Sequence, residues 1–152
     1  FLLLKLDITC KKSINKALEL SIKKFSKVDV LVNNAAIDAK FDKNGFENID
    51  NNSFENYPID LLEKSIKVNT VGMVLITQLF CKQMLSQGFG NIINVASTYA
   101  LISPNQNLYD YNNGKNIKYK PVDYIVSKSF IPNFTRYIAT FYAKRRTQTN
   151  KP

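Results

Sequence analysis

The stretch that most limits what this chain can fold into is VDVLVNNAA, Val28 to Ala36. Val28 to Val32 is a strand-length run of mostly β-branched residues without apolar–polar alternation. A strand with one wet face would alternate, so this one is expected to be covered on both faces, as in a parallel sheet. NIINVAS, residues 91 to 97, is a second run of the same kind. Parallel neighbours need a crossover connection, usually a helix, and the intervening sequence supplies one. Pro58 opens a pattern in which Leu61, Leu62, Ile66, Val68, Met73, Ile76 and Phe80 recur at helical spacing, ending before Gly88.

The remaining elements extend the alternation. Phe1 to Leu6 is an apolar run expected to form a first strand, and Ser13 is expected to cap a helix carrying Ile14, Leu18, Ile22 and Phe25. Residues 38 to 57 are polar and read as a surface loop, and residues 98 to 120 as a Tyr-, Asn- and Lys-rich connection. Pro121 then starts a last helix. Strand and helix alternating three times predict an α/β fold with a doubly wound parallel sheet, one domain over residues 1–152 with a frayed basic tail from about residue 145.

Ligands of such sheets sit at the carboxyl ends of the strands. That rule selects Asp7, the Asn33-Asn34-Ala35-Ala36 turn and Ser97. On the last helix Tyr124 and Lys128 stand four residues apart, so both side chains lie on one face and reach one small volume. A tyrosine has an ordinary pKa of about 10, and using it as an acid or base near neutrality calls for a positive charge beside its phenolate. Lys128 is placed to supply that charge, and Ser97 to hold a carbonyl or alcohol oxygen by its hydroxyl. An amphipathic helix that merely carries both residues is the alternative.

The chain has no histidine, which removes Ser-His-Asp and Cys-His nucleophiles and histidine-based metal sites. Cys10 and Cys81 lie far apart with no CxxC, so no metal is expected, and a reduced cytoplasmic setting fits them. The net charge of +9 comes largely from scattered lysines, which read as solvated helix faces rather than a nucleic-acid surface. No apolar run approaches the 18 or more residues of a membrane span. The Asn-x-Ser/Thr triplets at Asn51 and Asn133 are expected by chance in so Asn-rich a chain.

Taken in order, Asp7-Ile8-Thr9, Asn33-Asn34-Ala35-Ala36, Asn69, Ser97 and Tyr124-x-x-x-Lys128 resemble the short-chain dehydrogenase/reductases of the classical type. The resemblance implies a Rossmann-like sheet, NAD or NADP as cofactor, and hydride transfer to or from a carbonyl or alcohol substrate. By that resemblance Tyr124 is the general acid/base, Lys128 binds the nicotinamide ribose and supports the tyrosine, and Ser97 orients the substrate oxygen. Asn69 holds a water in a proton relay; a local hydrogen bond to its own helix backbone is the other reading. Asn33, Ala35 and Ala36 match the turn where small residues let the cofactor approach. Asp7, with Ile8 beside it, matches the acidic position at the adenine, although a capping or loop role serves Asp7 equally well. The resemblance further implies a cytoplasmic homo-oligomer that associates through the Asn69 and Tyr124 helices, burying Met73, Ile76 and Phe80.

Several positions depart from the family pattern. No G-x-x-x-G-x-G or G-x-G-x-x-G is present, and Ala36 stands where glycine is usual. The resemblance covers the middle of the family's domain, so the expectation is a partial domain lacking the N-terminal glycine-rich strand–turn and the C-terminal strands. A remnant that binds no dinucleotide is the competing expectation. Phe130 replaces a very small residue, Asp123 adds a negative charge beside Tyr124, and Pro132 should kink a helix interior at a cost of about 3 kcal/mol. The long 98–120 connection is expected beside the substrate, where its composition suits a sugar derivative or an anion; a solvent-exposed connection serves as well.

Overall fold

The computed structural model describes residues 1–38, 53–109 and 119–146. Two strands, β1 (Val30–Asn33) and β2 (Asn91–Asn94), pair in parallel, with Val30 opposite Asn91 and Asn33 opposite Asn94. The helices are α1 (Lys11–Phe25), α2 (Ile59–Ser65), α3 (Met73–Ser86), α4 (Val122–Ser129) and α5 (Ile131–Arg146). The crossover from β1 to β2 is one long helical rod. It begins after Pro58, whose missing N–H costs nothing there, and passes through a π-helical segment, Ile66–Gly72, before becoming α3.

A core of Ile8, Ile14, Leu31, Ile76, Leu79, Phe80 and Met84 joins α1, β1 and α3. These residues come from one face of the sheet. On the other face Val30, Val32 and Ile93 are exposed, so the double-sided cover expected of the two apolar runs is present on one side only among the described residues. Phe1–Leu6, expected as a strand, forms no regular element and makes no ladder with β1 or β2. In a doubly wound order such as 3-2-1-4-5-6, strands consecutive in sequence can be separated by two others, so an apolar run that precedes β1 need not pair with it.

Three local expectations change. Helix α1 starts at Lys11 after Cys10, with no side-chain cap; Ser13 instead accepts a hydrogen bond from the Asp7 N–H at 3.0 Å. Pro132 lies in the first turn of α5, because Phe130 already separates α4 from α5. A proline there displaces no helix hydrogen bond, so the interior cost does not arise. Met73, Ile76 and Phe80, expected at a subunit interface, are buried within the chain itself; Ile76 and Phe80 pack in the core with Ile14 of α1 and Leu31 of β1. Helix α5 continues through Arg145 and Arg146, and the rest of the tail, residues 147–152, lies outside the described residues.

Gly72 ends the π-helical segment where the Asp7–Thr9 turn presses on it. A Cβ there would lie 2.9 Å from Ile8 Cγ1 and 3.3 Å from the Ile8 carbonyl oxygen, closer than carbon atoms tolerate. Gly72→Val should therefore lower stability by about 1–3 kcal/mol, read as a fall in Tm, and Ile8→Ala in that background should return part of the loss. An unchanged Tm for Gly72→Val would show that this contact is not close.

Candidate active site

The carboxyl ends of β1 and β2 are fastened by a run of side-chain amides and hydroxyls. Asn33, buried in β1, donates from Nδ2 to Thr77 Oγ1 at 2.9 Å and to Asn94 Oδ1 at 2.8 Å. Asn94 donates in turn to Thr135 Oγ1 at 3.0 Å, reaching α5. Asn33 is thus a structural tie, with its amide committed to protein partners. Beyond it the backbone turns outward, and Asn34, Ala35 and Ala36 are exposed.

Asn69 holds the far side of that turn. Its Oδ1 accepts the Ile37 N–H at 2.8 Å while its Nδ2 donates to the Ile37 carbonyl at 2.8 Å and to Ser127 Oγ at 3.0 Å. The side chain is 1% exposed and makes three of the four hydrogen bonds an amide can make. The purely local bond considered for Asn69 is not among these; its partners come from the turn after β1 and from α4. It sits inside the π-helical segment, a distortion that often marks functional positions because it re-aims a side chain.

Helix α4 carries the other pair. Pro121 precedes its first turn, and the buried Asp123 fixes it: one carboxylate oxygen accepts the Tyr124 N–H at 2.7 Å and the other the Ser65 hydroxyl at 2.5 Å. Asp123 therefore faces α2, on a different side of the helix from Tyr124. Lys128 is buried, and its Nζ donates to the Val95 carbonyl at 3.0 Å and lies 6.0 Å from the centre of the Tyr124 ring. Burial pulls the Lys128 pKa below its ordinary value, and the Asp38 carboxylate works against that shift. Ser97 is half-buried at the head of the 3₁₀ turn Thr98–Ala100, which packs on α4, and its Oγ accepts the Tyr99 N–H at 3.2 Å. Accepting that bond leaves the hydroxyl proton free to be donated elsewhere.

Hydrogen bonds and packing thus join Asn69, Ser97, Tyr124 and Lys128 around α4, beside the turn that contains Ala35 and Ala36. Asp7 and Ile8 are not joined to them by any hydrogen bond among the described residues. The exposed Asp7 carboxylate accepts the Thr9 hydroxyl and the Thr9 N–H, both at 2.8 Å, and these bonds hold its pKa below the usual carboxylate value. Ile8 places its side chain in the core. A cavity of about 630 Å³ lies elsewhere, along β2 between α3 and α5, lined by Met84, Ile92, Ile138 and Tyr142.

The structure also assembles residues that the sequence did not single out. Lys120 pairs with Asp38 at 2.8 Å, its Nζ lying 4.0 Å from the Tyr124 ring centre. Tyr57, at the end of the stretch expected to be a surface loop, is buried, and its hydroxyl has no hydrogen-bond partner among the described residues. Burial first, and then the nearby Asp123, push its pKa well above the ordinary 10.0. Lone tyrosines and lysines in polar stretches carry no periodicity, so only the tertiary fold reveals them.

Compared with known proteins, the chain matches the family described as short chain dehydrogenase over residues 1–151. It belongs to that family. An NAD-dependent glycerol dehydrogenase from Listeria innocua is 28% identical over 149 residues, covering 98% of this chain and 49% of the relative. A short-chain type dehydrogenase/reductase from Mycobacterium marinum superposes with a TM-score of 0.74 at 20% identity, over 95% of this chain and 48% of that one. A short chain dehydrogenase from Leptospira borgpetersenii with bound NAD+ superposes at 0.72 and 24% identity, over 91% and 47%. The Rossmann-like fold is therefore shown, and the chain spans about half the length of these relatives.

The buried Tyr57 hydroxyl yields a test. Tyr57→Phe removes an unsatisfied polar group and should raise stability by about 1 kcal/mol at neutral pH. The native state also keeps the Tyr57 proton above pH 10.0, where the unfolded chain releases it, so the native state loses stability as pH rises past 10.0. The variant should lose less stability there. Denaturant melts at pH 7 and above pH 10 check both signs, and a destabilised variant would contradict the assignment.

Proposed function

We propose that the intact protein is an NAD(P)-dependent oxidoreductase that moves hydride between the nicotinamide and a carbonyl or alcohol carbon of a small molecule. The observation that carries this reading is the disposition of α4. Tyr124 and Lys128 share one face of it, beside the Ser97 turn, with Lys128 fastened to the Val95 carbonyl at the end of β2.

Each residue then has a task. In reduction, the Tyr124 hydroxyl gives its proton to the substrate oxygen as that oxygen gains charge; in oxidation, the phenolate takes it back. The Lys128 ammonium stabilises the phenolate. Ser97 donates its hydroxyl proton to the same substrate oxygen and sets its distance from Tyr124. Asn69 holds the turn after β1 against α4, and a water beside it would relay protons toward Lys128. NAD(P), when bound, supplies or accepts the hydride.

The dinucleotide fits the exposed Ala35 and Ala36, whose small side chains let it approach the backbone beyond β1. Lys128 would bind its ribose hydroxyls, and Asp7 and Ile8 would meet the adenine end. The named dependence of the Listeria relative favours NAD. The setting proposed is cytoplasmic, with a homo-oligomer as the working form and no nucleic-acid or membrane partner. Among the described residues no helix is long and apolar enough to cross a membrane, and no group of three metal-ligating side chains occurs.

Tyr124→Phe in the intact protein should abolish turnover, by about 100-fold or more, while NAD+ affinity measured by calorimetry changes little. Retained turnover would sink the acid/base role. Loss of both turnover and NAD+ binding would show instead that Tyr124 serves the fold or the cofactor.

A further inference from the structure

Lys120 is an unusual lysine for an exposed connection: it is 7% exposed, its ammonium pairs with Asp38 at 2.8 Å, and it lies 4.0 Å from the centre of the Tyr124 ring. That is closer to the ring than Lys128 at 6.0 Å. Its backbone is held as well. The Gln106 side chain accepts the Lys120 N–H at 2.9 Å and donates to its carbonyl at 3.3 Å. Gln106 lies in a 3₁₀ turn, Gln106–Tyr109, within the long connection between β2 and α4. Asp38, at the other end, follows Ile37, which Asn69 grips.

We propose that Lys120 is a positioning residue for Tyr124: gripped through its backbone by Gln106 and through its ammonium by Asp38, it lays a cation on the phenol ring and fixes the ring's orientation. The inference rests on the reading of Tyr124 as the proton donor. A cation on a ring face is attracted by the negative quadrupole there, and more strongly when both are shielded from water. The pull is directional, so it selects one ring orientation. The long connection thereby acquires a role that its composition did not announce: through Gln106 it presents a second cation to the tyrosine, apart from any contact with substrate. Asp38 ties this cation to the turn where the dinucleotide would lie, so the ring and the cofactor turn are set by the same pair.

The test uses the full-length protein with tyrosines labelled by carbon-13 at Cζ. The Tyr124 resonance, identified by its loss in Tyr124→Phe, should move in Lys120→Met and stay near its original place in Lys120→Arg, which keeps a cation over the ring. On whichever of glycerol, erythritol or xylitol the parent oxidises fastest with NAD+, Lys120→Met should lower kcat by about 10- to 100-fold with KM changed less than about threefold. Lys120→Arg should retain most of kcat. Exchanging the charges, Lys120→Asp with Asp38→Lys, restores an ion pair without a cation over the ring; it should recover Tm and leave kcat low. A Tyr124 resonance unmoved in Lys120→Met, or full kcat in the exchanged pair, would overturn the proposal. A resonance that moves in Lys120→Met when the parent binds neither NAD+ nor NADP+ by calorimetry would uphold Lys120's hold on the ring and count against the dehydrogenase reading instead.

Discussion

One amide side chain holds the candidate site together. Asn69 accepts from and donates to the backbone of Ile37 and donates to Ser127, so the turn after β1, the π-helical segment and α4 meet at a single buried group. A buried amide that loses such partners costs about 1–3 kcal/mol for each group left unsatisfied, so the three elements hold one another in register. Asn69 stands in the π-helical segment of the long rod and is buried there. Once α4 is seated, the spacing of Tyr124 and Lys128 does the rest.

The charges around this joint are arranged in layers. Asp123 lies on the α2 side of α4, bonded to the Ser65 hydroxyl and to the first-turn N–H of Tyr124, where a carboxylate also suits the positive end of the helix dipole. Lys120 and Lys128 stand around the tyrosine, and Asp38 pairs with the first while drawing on the second. Buried cations without such partners would lose their charge. The net charge of +9 is thus a poor guide to the site, whose electrostatics depend on a few sequestered groups, while most of the described lysines sit on solvated helix faces.

What the sequence made legible was what repeats or sits at a fixed spacing. The apolar runs read over Val28 to Val32 and residues 91 to 97 appear as the parallel strands Val30–Asn33 and Asn91–Asn94, the rod after Pro58 as one continuous helix, and the four-residue step from Tyr124 to Lys128 as a shared face. Edges and ends were less legible. Ser13 looked like a cap because it precedes an apolar pattern, yet the helix starts earlier and the serine serves Asp7. Pro132 looked like an interior proline because the apolar pattern runs through Phe130 without showing the break. The Met73, Ile76 and Phe80 stripe was expected at an interface by the family resemblance alone, and its apolar spacing does not say that the chain's own core covers it. Lys120, Asp38 and Tyr57 were invisible because their roles arise from contacts between segments distant in sequence.

The most direct test of this account is hydrogen exchange at the Ile37 amide. Asn34, Ala35 and Ala36 are exposed, and their amides should exchange quickly, whereas the Ile37 N–H is bonded to Asn69 Oδ1 at 2.8 Å and should be protected. In Asn69→Ala that protection should collapse while the strand amides of β1 stay slow. An Ile37 amide that exchanges as fast as its neighbours in the parent protein, or that stays protected without the Asn69 side chain, would contradict the claim that this asparagine holds the site.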